Sequence, residues 1–359
     1  MQANGANGRI HLVGSIGLDT VDDVFRTVGR KFGHRLRRVP DGEPGGRRLW
    51  ISFQYPALRA SPFLRPDPNG AIRKTTGFPL LCLAEGVGAN DVRFGELNYA
   101  REARASYLDF CVARQRADLP AGIRFQVCLP TPMGVTRAFC TTRDLPAIES
   151  AYEKAIIREI ETICRAIPNH DLCIQWDFCT EMIMWDGQPQ DQFPPAAHDD
   201  IIKQMARICR PIPDAVEVGF HLCYGDFGAK HFLEPVDAGK MVEVANAITQ
   251  ALSRPPAYFH MPVPIGRSDA DYFKPLGDLK LPAGTELYLG VVHAADGVEG
   301  TRKRIAAART YVGDFGIATE CGMARARTPD VVEHLLQIHA DVAEGLTRDT
   351  SGWPPGSIR

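Results

Sequence analysis

Residues 216–224 read V-E-V-G-F-H-L-C-Y, and the fold follows from how that stretch is taken. Apolar Val216, Val218, Phe220 and Leu222 alternate with Glu217, Gly219, His221 and Cys223, the period-2 pattern of a strand. Along a strand, residues i and i+2 share a face, so an imidazole and a thiol project together near the C-terminal end. Chemistry-bearing residues gathered at a strand's C-terminal end are the mark of an α/β barrel mouth.

Seven further short apolar runs surround this one, giving predicted strands at 10–14 (IHLVG), 91–95 (DVRFG), 124–129 (RFQVCL), 172–177 (LCIQWD), 257–261 (AYFHM), 287–292 (LYLGVV) and 315–320 (FGIATE). Amphipathic stretches separate them. The clearest is 145–167, where apolar residues recur at three- and four-residue spacing; others are 20–32, 197–208, 238–252, 300–310 and 329–343. Strand and helix in alternation predict a single (β/α)8 TIM barrel spanning 1–345. Residues 15–90 read as an elaborated first connection over the mouth, and 346–359 as a loose, polar tail.

The bulk numbers suit that fold. The 359 residues are 45% hydrophobic, enough for a large core. With 41 basic and 43 acidic side chains and no basic run, nucleic acid and anionic membrane are excluded as expected partners. No apolar stretch is long enough to span a bilayer, and MQANGANGRIHLVG has no leader pattern, so a cytoplasmic protein with reduced cysteines is expected. Most of its 10 cysteines, such as Cys82 and Cys128, sit in apolar runs and read as core residues. No G-x-S-x-G elbow, phosphate loop or G-x-G-x-x-G fingerprint is present.

The predicted strand ends, taken in order, gather Ser15, Glu96, Thr131, Asp177, His221 with Cys223, His260, His293 and Cys321. One imidazole with two thiolates suits Zn²⁺, which takes N and S ligands tetrahedrally.

At this point a family comes into view. VGFHLCYGDFG (218–228) resembles the H-x-C-Y segment of cobalamin-independent methionine synthase that carries a zinc histidine and cysteine, and TECGMARAR (319–327) resembles its D-C-G-x-x-x-R segment with another zinc cysteine. CIQWDFCTE is similar to its I-Q-x-D-E-P strand, RFGELNY to its H-G-E-P strand, and LVGSIG to its opening G-S-F-P segment. The resemblance covers the catalytic barrel only, within the uroporphyrinogen decarboxylase/methionine synthase-like barrel superfamily. It implies zinc held by His221, Cys223 and Cys321, with Asp177 and Glu96 on the amino group of an amino-acid thiol, Ser15 near its carboxylate and Tyr224 lining the substrate site. The family's fourth ligand is a glutamate ending the sixth strand, where His260 stands instead. Cys179, just beyond Asp177, reads as a bystander, and His293 as a general acid or base. Asp41, Glu43 and Arg47 form a lid-like cluster in a Gly/Pro turn.

The implied reaction is transfer of a methyl or alkyl group to a zinc-bound substrate thiolate. The alternative is a zinc lyase or hydrolase acting on a small carbonyl compound on the same barrel. A metal-free decarboxylase-like barrel would use Arg47, Arg48, Arg137 and Arg325 at the mouth, but leaves the His/Cys/Cys set without a purpose. The partner is a small molecule, with a homodimer allowed by the pattern.

Overall fold

The computed structural model describes residues 8–74, 76–187, 193–226 and 228–349. The chain passes Ile10 and enters α1 (Val21–Phe32), where Thr20 accepts from the Asp23 amide as N-cap, then reaches β1 (Arg38–Pro40). A connection follows with a 3-10 segment (Gly45–Phe53), α2 (Gln54–Arg59) and the antiparallel pair β2 (Leu64–Pro66) and β3 (Leu81–Leu83). From α3 (Tyr99–Gln115) strand and helix alternate: β4 (Arg124–Pro130), α4 (Pro132–Phe139), α5 (Leu145–Ala166), β5 (Leu172–Phe178), α6 (Thr180–Asp186) and α7 (His198–Cys209). Then come β6 (Glu217–Leu222), α8 (Gly239–Ala251), β7 (Tyr258–Pro262), the short α9 (Ala270–Phe273), β8 (Glu286–Val292), α10 (Gly297–Arg309), β9 (Gly316–Thr319) and α11 (Pro329–Asp349).

The 7-stranded sheet runs β1-β4-β5-β6-β7-β8-β9, every neighbouring pair parallel. It curls until a single residue touches both ends: Ile10 makes parallel bridges to Leu36, just before β1, and to Ile317 in β9. The architecture is TIM-barrel-like, with seven regular strands and this bridging residue where eight strands were expected. Strands covered on both faces must be apolar along most of their length, and β5 is buried at every position.

Inside the curl lies a polar layer. Gln175 Oε1 meets His11 Nε2 at 3.0 Å and accepts from the Tyr258 hydroxyl at 2.9 Å, while its amide donates to Asp177 Oδ1 at 2.9 Å. The ring of Tyr258 fits because position 219 is glycine; a Cβ there would come within 2.1 Å of it. This network braces Asp177 from beneath.

Four sequence expectations need correcting. Residues 91–95 form no strand: Val92 and Phe94 are buried and their neighbours exposed, which mimics strand alternation, but the stretch has no ladder and its Phe94 carbonyl accepts from Arg158 on α5. The true second stave is β1, three residues ended by a proline and too short to announce itself by period. The elaborated connection therefore follows β1 instead of filling the whole of 15–90. The tail expected from 346 begins inside α11, which runs on to Asp349, and residues 350–359 lie outside the described residues. Run 10–14 supplies only the Ile10 bridge. Among the described residues no helix is long and apolar enough to cross a membrane, and all ten cysteines are free.

Candidate metal centre

Parallel register builds the centre. Asp177 pairs with His221 and His221 with His260, so β5, β6 and β7 deliver three polar side chains in one row. One residue beyond β6, Cys223 stays in the sheet's pattern, its amide donating to Phe178 O at 3.0 Å. Cys321 arrives from the turn after β9. That turn packs closely: the Met323 amide donates to Ser15 O at 2.6 Å, and a Cβ at Gly322 would stand 2.2 Å from Ser15 Oγ.

One nitrogen of His221 and the sulfurs of Cys223 and Cys321 all lie within 4.8 Å of one another, fully buried, with the sulfurs 3.7 Å apart. Arg325 donates to Cys321 Sγ at 3.1 Å, and the Gly225 amide to Cys223 Sγ at 3.2 Å. The hydrogen bond from Cys223 and the Arg325 charge together hold the Cys321 thiol well below its usual range. Cys223 is pushed up, by hydrogen bonds with Cys179 and Cys321.

The histidine's tautomer follows from its neighbours. Thr319 O can only accept, so His260 Nε2 carries the proton of their 2.9 Å bond. Burial and the neighbouring His221 keep His260 neutral. Its Nδ1 is therefore an acceptor, and His221 Nδ1–H donates to it across 2.7 Å. That leaves His221 Nε2 buried and without any hydrogen-bond partner. An unpartnered nitrogen beside two thiols, with the other ring nitrogen fixed from behind, is the arrangement of a metal-ligating histidine. The donor set fits Zn²⁺. His260, expected as a ligand, is corrected: both its nitrogens are engaged, and it orients His221.

These groups close one end of a small cavity of about 70 Å³. Ser15, Glu43, Asp177, Cys179, Asp226 and Arg325 line it near the sulfurs, and Leu49, Trp50, Ile51, Phe193 and Phe232 supply an apolar wall. Asp177 is raised to about 6, by burial foremost. Its Oδ2 accepts from Trp50 Nε1 at 3.1 Å, which ties the 3-10 segment down over the site. Glu43 is raised to about 8 by burial and by the charges of Asp177 and Asp41. Ser15 Oγ is buried and has no partner.

Of the residues singled out from sequence, Ser15, Asp177, His221, Cys223 and Cys321 meet in this cavity. Others do not, His260 behind His221 among them. Glu96 is exposed and lines a separate groove with Phe63 and Arg93. The Tyr224 hydroxyl turns away to Asp186 Oδ2 at 3.1 Å. His293 is neutral, lowered to about 4 by burial and Arg304, with Nε2 donating to Val263 O at 2.8 Å and Nδ1 3.4 Å from Glu320. The carboxylate that does join Asp177 is Glu43. Its signal was legible: Gly42-Glu43-Pro44 completes a G-E-P string, whereas Gly95-Glu96-Leu97 lacks the proline.

The chain shares its fold with B12-independent methionine synthases. A structure of such an enzyme from Shewanella sp. W3-18-1, in complex with selenomethionine, superposes with a TM-score of 0.59 at 14% identity, covering 96% of this chain and 100% of that one. A Listeria monocytogenes protein assigned as a vitamin B12-independent methionine synthase gives 0.57 at 13% identity, covering 99% and 100%. No protein-family model and no curated protein matches the sequence.

Proposed function

We propose that this chain is a zinc-dependent enzyme that moves a methyl or alkyl group onto the sulfur of a small, amino-acid-like thiol. The observation that carries the reading is the buried His221/Cys223/Cys321 set, with its unpartnered imidazole nitrogen, at the end of a cavity holding Asp177, Glu43 and Ser15. Zinc held by these three residues would keep a substrate thiol ionised at neutral pH.

The chain's own residues do the rest. Asp177, buried, and Glu43, half-buried, repel each other, so a substrate ammonium placed between them relieves the repulsion and draws both pKa values down. Ser15 Oγ is free to donate to a substrate carboxylate. Trp50, Phe193 and Phe232 exclude water and accept the apolar part of the alkyl group. The Shewanella enzyme's complex with selenomethionine, a selenium analogue of an amino-acid thioether, supports that product class here.

The test is to offer the zinc-loaded protein isotopically labelled methyl donors with a panel of thiols and to look for labelled thioether by mass spectrometry. Product that depends on thiol and zinc and is lost in Cys223→Ser supports the reading. A second reading has its own observation: Glu43, raised to about 8, can give or take a proton near neutral pH, as a zinc lyase or hydrolase requires. Turnover of a carbonyl compound with no thiol present would favour it over transfer.

A further inference from the structure

A tetrahedral zinc wants four donors, and the set just described offers three. The obvious candidates for the fourth are all occupied. His260 has both nitrogens engaged. Asp177 holds Gln175 and Trp50 through its two oxygens. Asp226 is clasped by Arg327 at 3.0 and 3.3 Å and faces Arg325 at 3.6 Å. Glu320, beside Cys321 in sequence, reaches His231 and His293 at 3.5 and 3.4 Å. The stretch that ends β7, Pro262-Val263-Pro264, has no donor side chain at all.

Two cavity-lining donors remain, Glu43 and Cys179, and of these Cys179 is the one that the sheet register sets beside Cys223. We propose that Cys179 is the fourth ligand, giving a His/Cys3 centre; this rests on the metal reading above. β5 and β6 pair Phe178 with Leu222, so the next residues, Cys179 and Cys223, stand side by side on adjacent strands. The Cys223 amide bonded to Phe178 O confirms that the register continues past the named strands. Cys179 is 3% exposed and lines the same cavity as His221, Cys223 and Cys321. The Cys179 sulfur is not one of the atoms that lie within 4.8 Å of one another, so it completes the set by turning about its own side-chain bond.

Charge balance agrees. Three thiolates and a neutral imidazole around Zn²⁺ leave one negative charge, and Arg325, already donating to Cys321 at 3.1 Å, supplies the compensating positive one. A set of two thiolates and a glutamate carries the same charge, so a third thiolate replaces a carboxylate without changing the electrostatics of the site.

The experiment counts sulfurs. Zinc K-edge absorption on the zinc-loaded protein separates S at about 2.3 Å from N or O at about 2.0 Å, and cobalt(II) substitution reports thiolates through charge-transfer absorption. Wild type, Cys179→Ser, Cys179→Ala and the distant control Cys111→Ser are compared, with metal content measured on each. Three sulfurs in wild type and in Cys111→Ser, falling to two in the Cys179 variants with at least a ~10-fold loss of affinity, is the expected result. Two sulfurs in wild type, or three retained in a Cys179 variant, overturns the assignment and leaves Cys179 as a thiol lining the cavity. If neither Cys179 variant folds, the wild-type count decides alone. Wild type with no zinc overturns the metal reading itself, an outcome distinct from zinc bound by two sulfurs.

Discussion

Replacing His260 by phenylalanine tests how the centre is held. The ring volume stays similar, but the acceptor for His221 Nδ1–H at 2.7 Å and the donor to Thr319 O at 2.9 Å both vanish. A buried donor left unpaired costs about 1–3 kcal/mol, and His221 is then free to rotate or to change tautomer. Loss of such a supporting partner costs ~10–100-fold in metal affinity, or about 1.4–2.7 kcal/mol, so the two routes agree in size. Zinc affinity is read by competition with a chromophoric chelator at pH 7, with His260→Gln alongside. An amide side chain can offer an acceptor to His221 and a donor to Thr319, so glutamine is expected to recover most of the loss. Wild-type affinity in His260→Phe would refute the relay. Complete loss of zinc in both variants, with one nitrogen fewer around any residual metal, would show that His260 is a ligand after all.

Other expectations follow from the same site. Glu43→Gln should stabilise the zinc-free protein at pH 8–9 and change little near pH 4. Burial raises the native carboxyl to about 8, from an ordinary 4.5. A raised carboxyl binds its proton more tightly when folded, so native stability falls as pH climbs through that window and the neutral amide escapes the loss. Partial solvent access keeps the gain to about 1–2 kcal/mol, measurable as a rise in Tm at alkaline pH; equal Tm differences at both pH values would contradict it. Gly322→Ala should cost about 1–3 kcal/mol by chemical denaturation, because its Cβ would sit 2.2 Å from Ser15 Oγ; an unchanged midpoint would mean that the Cys321 turn is loosely packed. Trp50→Phe removes the hydrogen bond to Asp177 Oδ2, which helps to keep that carboxyl down. The acid limb of the pH–rate profile should move above its wild-type position near 6, with KM rising ~3–10-fold and kcat little altered; a fall in kcat alone would place Trp50 in the chemistry instead.

How far the sequence carries can be judged from particular residues. His221 and Cys223 were legible because strand alternation puts i and i+2 on one face whatever else the fold does, and Cys321 because it closes the last long apolar run. Asp177 came from the same logic. Glu96 failed because Val92 and Phe94 alternate in burial without belonging to a sheet, so a period-2 pattern was taken for a strand. Glu43 was read as part of a lid, not beside Asp177, for the complementary reason: the strand before it, β1, is three residues long and its end does not show as a period. Tyr224 and His293 are strand-end neighbours whose side chains turn to Asp186 and to Val263 and Glu320. Orientation past a strand end depends on the loop's path, which local pattern does not encode. His260 was placed in the correct row, but whether a histidine binds metal or braces one that does depends on which partners its two nitrogens find.

Metal content of wild type and Cys223→Ser, purified side by side and measured by elemental analysis, tests the central claim most directly. The account predicts about one zinc per chain in wild type and a loss of most of it in the variant, with both proteins folded by circular dichroism. Wild type that stays folded and active after careful purification with no zinc would contradict it.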